Sequence, residues 1–165
     1  MWLGTVCGLG YSPVAPGTVG AMAGVALFLA LSSQGVSLAL YLAISAGITL
    51  LGIWAARGCE ALFGTQDDGR IVIDEVAGQL VTLTPILVFF EAGELRTVSA
   101  SAWWGLVVTG FVVFRVLDIW KPGPVRWAER QFHGGLGVML DDLLAGGIGG
   151  LLLAVPCYQV RGALS

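Results

Sequence analysis

Apolar positions along this chain fall into long blocks. Five runs stand out, at about 19–33, 36–56, 76–90, 100–120 and 143–160. The second, VSLALYLAISAGITLLGIWAA, carries no charge and is long enough as a helix to cross a hydrocarbon layer of roughly 30 Å. The third, VAGQLVTLTPILVFF, would be only about 22 Å long as a helix and contains Pro85, so it is expected to tilt, kink or re-enter rather than cross simply. Ser-Ser-Gln-Gly at 32–35 predicts a tight helical hairpin, and Lys-Pro-Gly-Pro at 121–124 predicts the end of the fourth helix. Gly20 with Gly24, and Gly146 with Gly150, place small residues on one helix face and predict close helix packing. No period-two alternation argues for a β-barrel. The expected fold is an all-α polytopic membrane bundle of about four to five membrane helices, one domain over residues 1–165, with its chemistry in the cytoplasmic loops.

Composition agrees with that pattern. Hydrophobic residues make up 56 % of the chain and charged residues 12 %, with a mean hydropathy of +0.86, far from the soluble balance of about a quarter charged. A formal charge of −3 argues against nucleic acid as a partner. Cys7, Cys59 and Cys157 are odd in number and widely spaced, and read as free thiols. No Lys or Arg precedes Arg57, so the first apolar run lacks the basic start of a secretory signal and is expected in the mature chain.

Charge then assigns sides. If all five runs cross, one side receives Arg57, Arg70, Lys121, Arg126 and Arg130, and the other only Arg96 and Arg161. The Lys/Arg-rich side is expected to be cytoplasmic, with the N-terminus and both long loops inside. Glu60, Asp67, Asp68, Asp74, Glu75, Glu129, Asp141 and Asp142 lie on that side, with Glu91 and Glu94 outside.

Two acidic pairs punctuate the apolar runs: Asp74–Glu75 opens the third, and Asp141–Asp142 is expected to open the fifth. Each pair alone suits a helix start, where free N–H groups and the dipole favour negative charge. With Asp118 at the end of the fourth run, five carboxylates at three helix ends could share one interfacial basin, and such hard oxygen ligands suit Mg²⁺. Arg115 and Asp118 are three apart on one helix, with Lys121 continuing the arc. They read either as an intramembrane ion pair with a snorkelling lysine or as cations for a phosphate. The Gly- and Pro-rich segment before Thr18, read as a helix N-cap, offers either an ordinary turn or backbone N–H groups for an anion.

Absences narrow the chemistry. No Arg lies six residues beyond any Cys, where Pro13, Thr65 and Ala163 stand, and His133 is the sole histidine. Cysteine- and histidine-nucleophile phosphatase chemistry is therefore unsupported, which leaves a metal-dependent carboxylate mechanism for phosphoryl hydrolysis.

Four ordered motifs, GYSPVAPGTVGA, IVIDEVAGQ, FRVLDIWKPGPV and GVMLDDLLAGG, together resemble the phosphatidylglycerophosphatase A family over nearly the whole chain. Leu117 and Val138 depart from the usual Phe and Ile by apolar exchange. The resemblance implies a Mg²⁺-dependent enzyme of the bacterial inner membrane that removes the terminal phosphate of phosphatidylglycerophosphate on the cytoplasmic face. It implies Asp74, Glu75, Asp141 and Asp142 as metal ligands, Asp118 and Asp74 as catalytic residues with Asp118 an additional ligand or general base, and Arg115, Lys121, Gly17 and Thr18 around the phosphate. Two other readings stay open: a CDP-alcohol phosphatidyltransferase-like enzyme, against which the lack of repeated D-x₃-D spacing counts, and a small ion transporter or membrane assembly subunit, against which the one-sided carboxylates count.

Overall fold

The computed structural model describes residues 1–63, 68–90 and 98–164. Asp67, Glu91, Glu94 and Arg96, and the side chain of Glu60, lie outside what is described, and with them the charge count of the 91–99 connection. All regular structure among the described residues is helical: α1 (Pro16–Ser33), α2 (Leu38–Phe63), α3 (Ile73–Phe89), α4 (Ala100–Trp120), α5 (Gly123–Gln131) and α6 (Gly134–Gly162), after a short 3-10 turn at Leu9–Tyr11. Helices α1, α2, α4 and α6 are long and apolar enough to cross a membrane.

The third apolar run forms α3, which is not among those four. It is the enclosed helix of the bundle, packed against α1, α2, α4 and α6. Its shortness and its buried mid-helix polar residues Gln79 and Thr82 follow from having protein rather than lipid on its flanks. Pro85 lies inside it without ending it. The Tyr41 hydroxyl of α2 donates to the Leu80 carbonyl at 2.7 Å, and the Thr82 hydroxyl donates to Gly78 at 3.0 Å or to Gly146 of α6 at 3.3 Å. Backbones approach closely where α3 meets α6: a Cβ on Gly146 would strike the Gly78 carbonyl, and one on Gly78 would come within 2.6 Å of the Asp142 carbonyl. Glycine is required there because any side chain would part the helices. Gly20 and Gly24 do the same for α1 against Val72, Val76 and Gln79.

Successive long helices run antiparallel. Gly17 at the start of α1 reaches Glu75 at the start of α3, Gly135 in the first turn of α6 reaches Ile53 and Arg57 of α2, and Ala56 near the end of α2 packs with Ile73. At the opposite end Phe90, Val98, Cys157 and Phe28 share one core, and Arg161 donates to the Phe89 carbonyl. The first turn of α3 and the last turn of α4 thus lie at the same end.

Three local expectations are corrected. Helix α1 starts at Pro16, with Ala15 as its N-cap, rather than after Thr18; proline at the first helical position is the stronger start signal, because its missing N–H has no intrahelical use there. Helix α6 starts at Gly134, so Asp141 and Asp142 lie about two turns inside it instead of opening it. The segment between Lys121 and Asp142 is also not a plain loop, since it carries the amphipathic α5, which buries Val125 and Ala128.

Candidate functional site

The chain enters α3 through Ile71 and Val72, and the N–H groups of Val72 and Ile73 bond to the Gly4 carbonyl at 2.9 and 3.2 Å. Asp74 and Glu75 then occupy the first turn, where the helix dipole favours negative charge. An Asp74 oxygen accepts the Glu75 N–H at 3.0 Å. Asp142 faces this pair from α6, and one oxygen each from Asp74, Glu75 and Asp142 lies within 4.8 Å of the others. Asp74 and Asp142 are buried, and the second Glu75 oxygen, Oε2, has no hydrogen-bond partner among the described residues. Carboxylates gathered in low dielectric repel one another unless a cation or shared protons compensate. An all-oxygen donor set with an unfilled buried acceptor fits a hard divalent cation such as Mg²⁺.

Arg115 and Asp118 form an ion pair on α4, both largely buried. Asp118 is near enough to act electrostatically on Glu75 and Asp142, as Arg115 is on Glu75. A Cβ on Gly17 would collide with Glu75 Oε1 and come within 3.2 Å of an Arg115 nitrogen, so only glycine leaves this space open. Thr18 lies just inside α1 and its N–H bonds to Ala15 at 2.9 Å.

The second acidic pair divides. Successive residues on a helix point about 100° apart, so Asp142 turns to Asp74 and Glu75 while Asp141 accepts from Lys121 Nζ at 2.8 Å. The same ammonium donates to Glu129 of α5 at 2.8 Å. Burial alone would lower the Lys121 ammonium, but its bonds to Asp141 and Glu129 outweigh that and raise it above the usual lysine range. Lys121 caps α4 in the left-handed region, at φ 47°, a conformation that costs a non-glycine residue about 1 kcal/mol. Its two ionic contacts hold it there. The structure thus brings Asp74, Glu75 and Asp142 together beside Arg115, Asp118 and Gly17, and joins Asp141 to Lys121.

Sequence reasoning gave no role to Glu129 or Gln79. Glu129 is eight residues from Lys121, and only the fold of α5 brings them together. Gln79 had a readable signal: a polar residue in an apolar run, one helical turn after Glu75.

Fold and site together define a membrane-embedded helical protein with an acidic, cation-compatible centre at one end of its bundle. The family model described as phosphatidylglycerophosphatase A matches residues 2–156, and the chain belongs to that family. It is 37 % identical to phosphatidylglycerophosphatase A of Escherichia coli, over 96 % of this chain and 84 % of that protein. A Haemophilus influenzae protein of the same name is 34 % identical over 84 % of this chain and 76 % of its own length. A Bacteroides thetaiotaomicron protein, provisionally named a phosphatidylinositol-3-phosphatase, is 38 % identical over 96 % of this chain and 93 % of its own. No solved structure matches. The protein is therefore a phosphatase enzyme.

Proposed function

We propose that this enzyme hydrolyses the terminal phosphate monoester of phosphatidylglycerophosphate, giving phosphatidylglycerol and inorganic phosphate, at the cytoplasmic face of a bacterial inner membrane. The observation that carries the reading is the convergence of Asp74, Glu75 and Asp142 to within 4.8 Å beside the Arg115–Asp118 pair, in a chain 37 % identical to a phosphatidylglycerophosphatase A. In this reading those three carboxylates hold Mg²⁺, which when bound neutralises phosphate oxygens and acidifies water. The Arg115 guanidinium, oriented by Asp118, holds the phosphate by the oxygens over which its negative charge is spread during transfer. Gly17 leaves room for it. Hydrolysis forms one P–O bond to water and breaks the ester P–O bond, and Asp118 accepts the water's proton while the leaving alkoxide takes one up. Lys121 and Asp141 then serve as positioning residues that tie α5 to α6 beside Asp142. Acyl chains stay in lipid because the site lies at helix ends, so no lipid-extraction domain is needed. The side assignment is supported by Arg57, Arg70, Lys121, Arg126 and Arg130 at this end.

The test is phosphate release from phosphatidylglycerophosphate, with phosphatidylinositol 3-phosphate as comparison because of the Bacteroides relative's name. Release that stops with EDTA and returns with excess Mg²⁺ is expected. Preference for the inositol lipid would move the substrate assignment, and indifference to EDTA would remove the metal. Cys7 is exposed whereas Cys59 and Cys157 are buried. A membrane-impermeant maleimide should thus label Cys7 in inside-out vesicles and not in right-side-out ones; the reverse would invert the topology.

A further inference from the structure

Gln79 is fully buried, yet neither its amide oxygen nor its amide nitrogen has a hydrogen-bond partner among the described residues. Leaving both ends of an amide unfilled in low dielectric is costly, about 1–3 kcal/mol for each unsatisfied group. Such a group in a native core calls for an explanation. Its surroundings supply one. Gln79 lies one helical turn beyond Glu75, about 6 Å along α3, on the side that faces α1: Gly20 approaches the Glu75 side chain and Gly24 approaches the Gln79 side chain, with a Cβ on Gly24 lying 2.9 Å from Gln79 Cβ. Helical side chains lean toward the N-terminus of their helix, so the Gln79 amide is carried back toward the turn that bears Glu75. Two other buried polar atoms without hydrogen-bond partners among the described residues belong to the same centre, Glu75 Oε2 and Arg115 Nε.

The chemistry of the three differs. A carboxylate oxygen awaits a cation and a guanidinium N–H awaits an anion, but a carboxamide offers one acceptor and two donors together. A phosphate dianion only accepts and would leave the Gln79 oxygen empty. A hydroxyl both donates and accepts, and so can fill both. The alcohol of phosphatidylglycerophosphate carries such a hydroxyl on the glycerol carbon next to the phosphate ester.

We propose that Gln79 is a specificity-determining residue whose buried amide reads the headgroup hydroxyl beside the scissile phosphate, at the α1–α3 side of the acidic centre. The inference rests on the hydrolase reading above and goes beyond it in naming what selects the alcohol. A site built to hydrogen-bond a hydroxyl rejects the analogue lacking it, because its own polar groups are then left unpaired.

The experiment compares phosphatidylglycerophosphate with its deoxy analogue, in which propane-1,3-diol replaces glycerol, for the detergent-solubilised full chain with Mg²⁺. The expected result is a kcat/KM preference of roughly tenfold or more for the hydroxylated lipid, which falls to near unity in Gln79→Met, a variant of similar shape without hydrogen-bonding groups. Gln79→Asn should restore part of the preference. Equal turnover of both lipids by the unaltered enzyme overturns the proposal without any variant, even if Gln79→Met fails to fold. So does a Gln79→Met enzyme that keeps the preference or loses activity equally on both lipids, which would make the amide structural or a partner of the attacking water. Hydrolysis of neither lipid by the unaltered enzyme would sink the hydrolase reading itself, a different result from indifference to the hydroxyl.

Discussion

The two acidic pairs of this protein look alike in sequence and behave differently in the fold. Asp74 and Glu75 sit in the first turn of α3 and both contribute an oxygen to one cluster. Asp141 and Asp142 sit about two turns inside α6, where the roughly 100° step between neighbours sends one to the cluster and the other to Lys121. At a helix start the free N–H groups and the dipole favour negative charge on either residue, and here both carboxylates reach one point. Inside a helix the rotation decides, and a doublet becomes two separate residues. One residue of the dipeptide thereby joins the carboxylate cluster and the other the Lys121 ion pair.

The largest test of that division lies in α6 itself. Asp142→Asn removes a cluster oxygen's charge and is expected to cut phosphate release by about a hundredfold or more, with membrane insertion intact. Asp141→Asn leaves the three-carboxylate cluster in place and loosens the grip on Lys121, so a loss of about tenfold is expected. Phosphate-release assays on both variants, with insertion checked by membrane fractionation, decide the matter. Equal losses would mean the pair acts as a unit and the comparison fails.

A second test moves the backbone that carries Asp142. A Cβ at Gly78 would lie 2.6 Å from the Asp142 carbonyl and 2.6 Å from the Phe114 ring. Neither is the free end of a flexible chain, so Gly78→Ala should part α3 from α6 at a cost of about 1–3 kcal/mol. A lower inactivation temperature in detergent, with activity falling alongside it, is expected. Unchanged activity would show that the cluster tolerates helix separation and that Asp142 does not need its present register.

Much of this fold was legible because its signals are local or one-dimensional. Apolar length located the membrane helices, Ser-Ser-Gln-Gly the hairpin between α1 and α2, and Lys-Pro-Gly-Pro the end of α4 at Trp120. The acids at the start of α3 were readable for the same reason. The start of α6 was not. Gly134, Gly135 and Gly137 have poor helix propensity and read as loop, but Gly135 fits against the Ile53 carbonyl and Arg57 of α2, where only glycine can go, and Gly137 against the Phe132 carbonyl. Tertiary packing overrides propensity there. The rotational setting of α6 follows from that contact, so the separate fates of Asp141 and Asp142 were equally hidden. The charge partner of Lys121 on α5 was out of reach too, since a nine-residue helix with two buried apolar positions leaves little pattern to read.

The smallest effect is expected at that partner. Lys121 bridges Asp141, whose side chain is 8 % exposed, and Glu129, whose side chain is 43 % exposed, at equal distances of 2.8 Å. Equal lengths do not mean equal energies. Water screens the outer pair and competes for both groups, so it is worth about 0–1 kcal/mol, whereas Asp141 is withdrawn from water and would be left as a buried charge without Lys121. Glu129→Gln should therefore lower thermal stability by no more than that amount and change phosphate release by less than about twofold, because the ammonium stays on Asp141 and α5 remains anchored by Val125 and Ala128. Thermal inactivation and phosphate release measured against Asp141→Asn provide the check. A Glu129→Gln variant as damaged as Asp141→Asn would place the hold on Lys121 in α5, and the second acidic pair would then owe its division to the surface helix instead of to the rotation of α6.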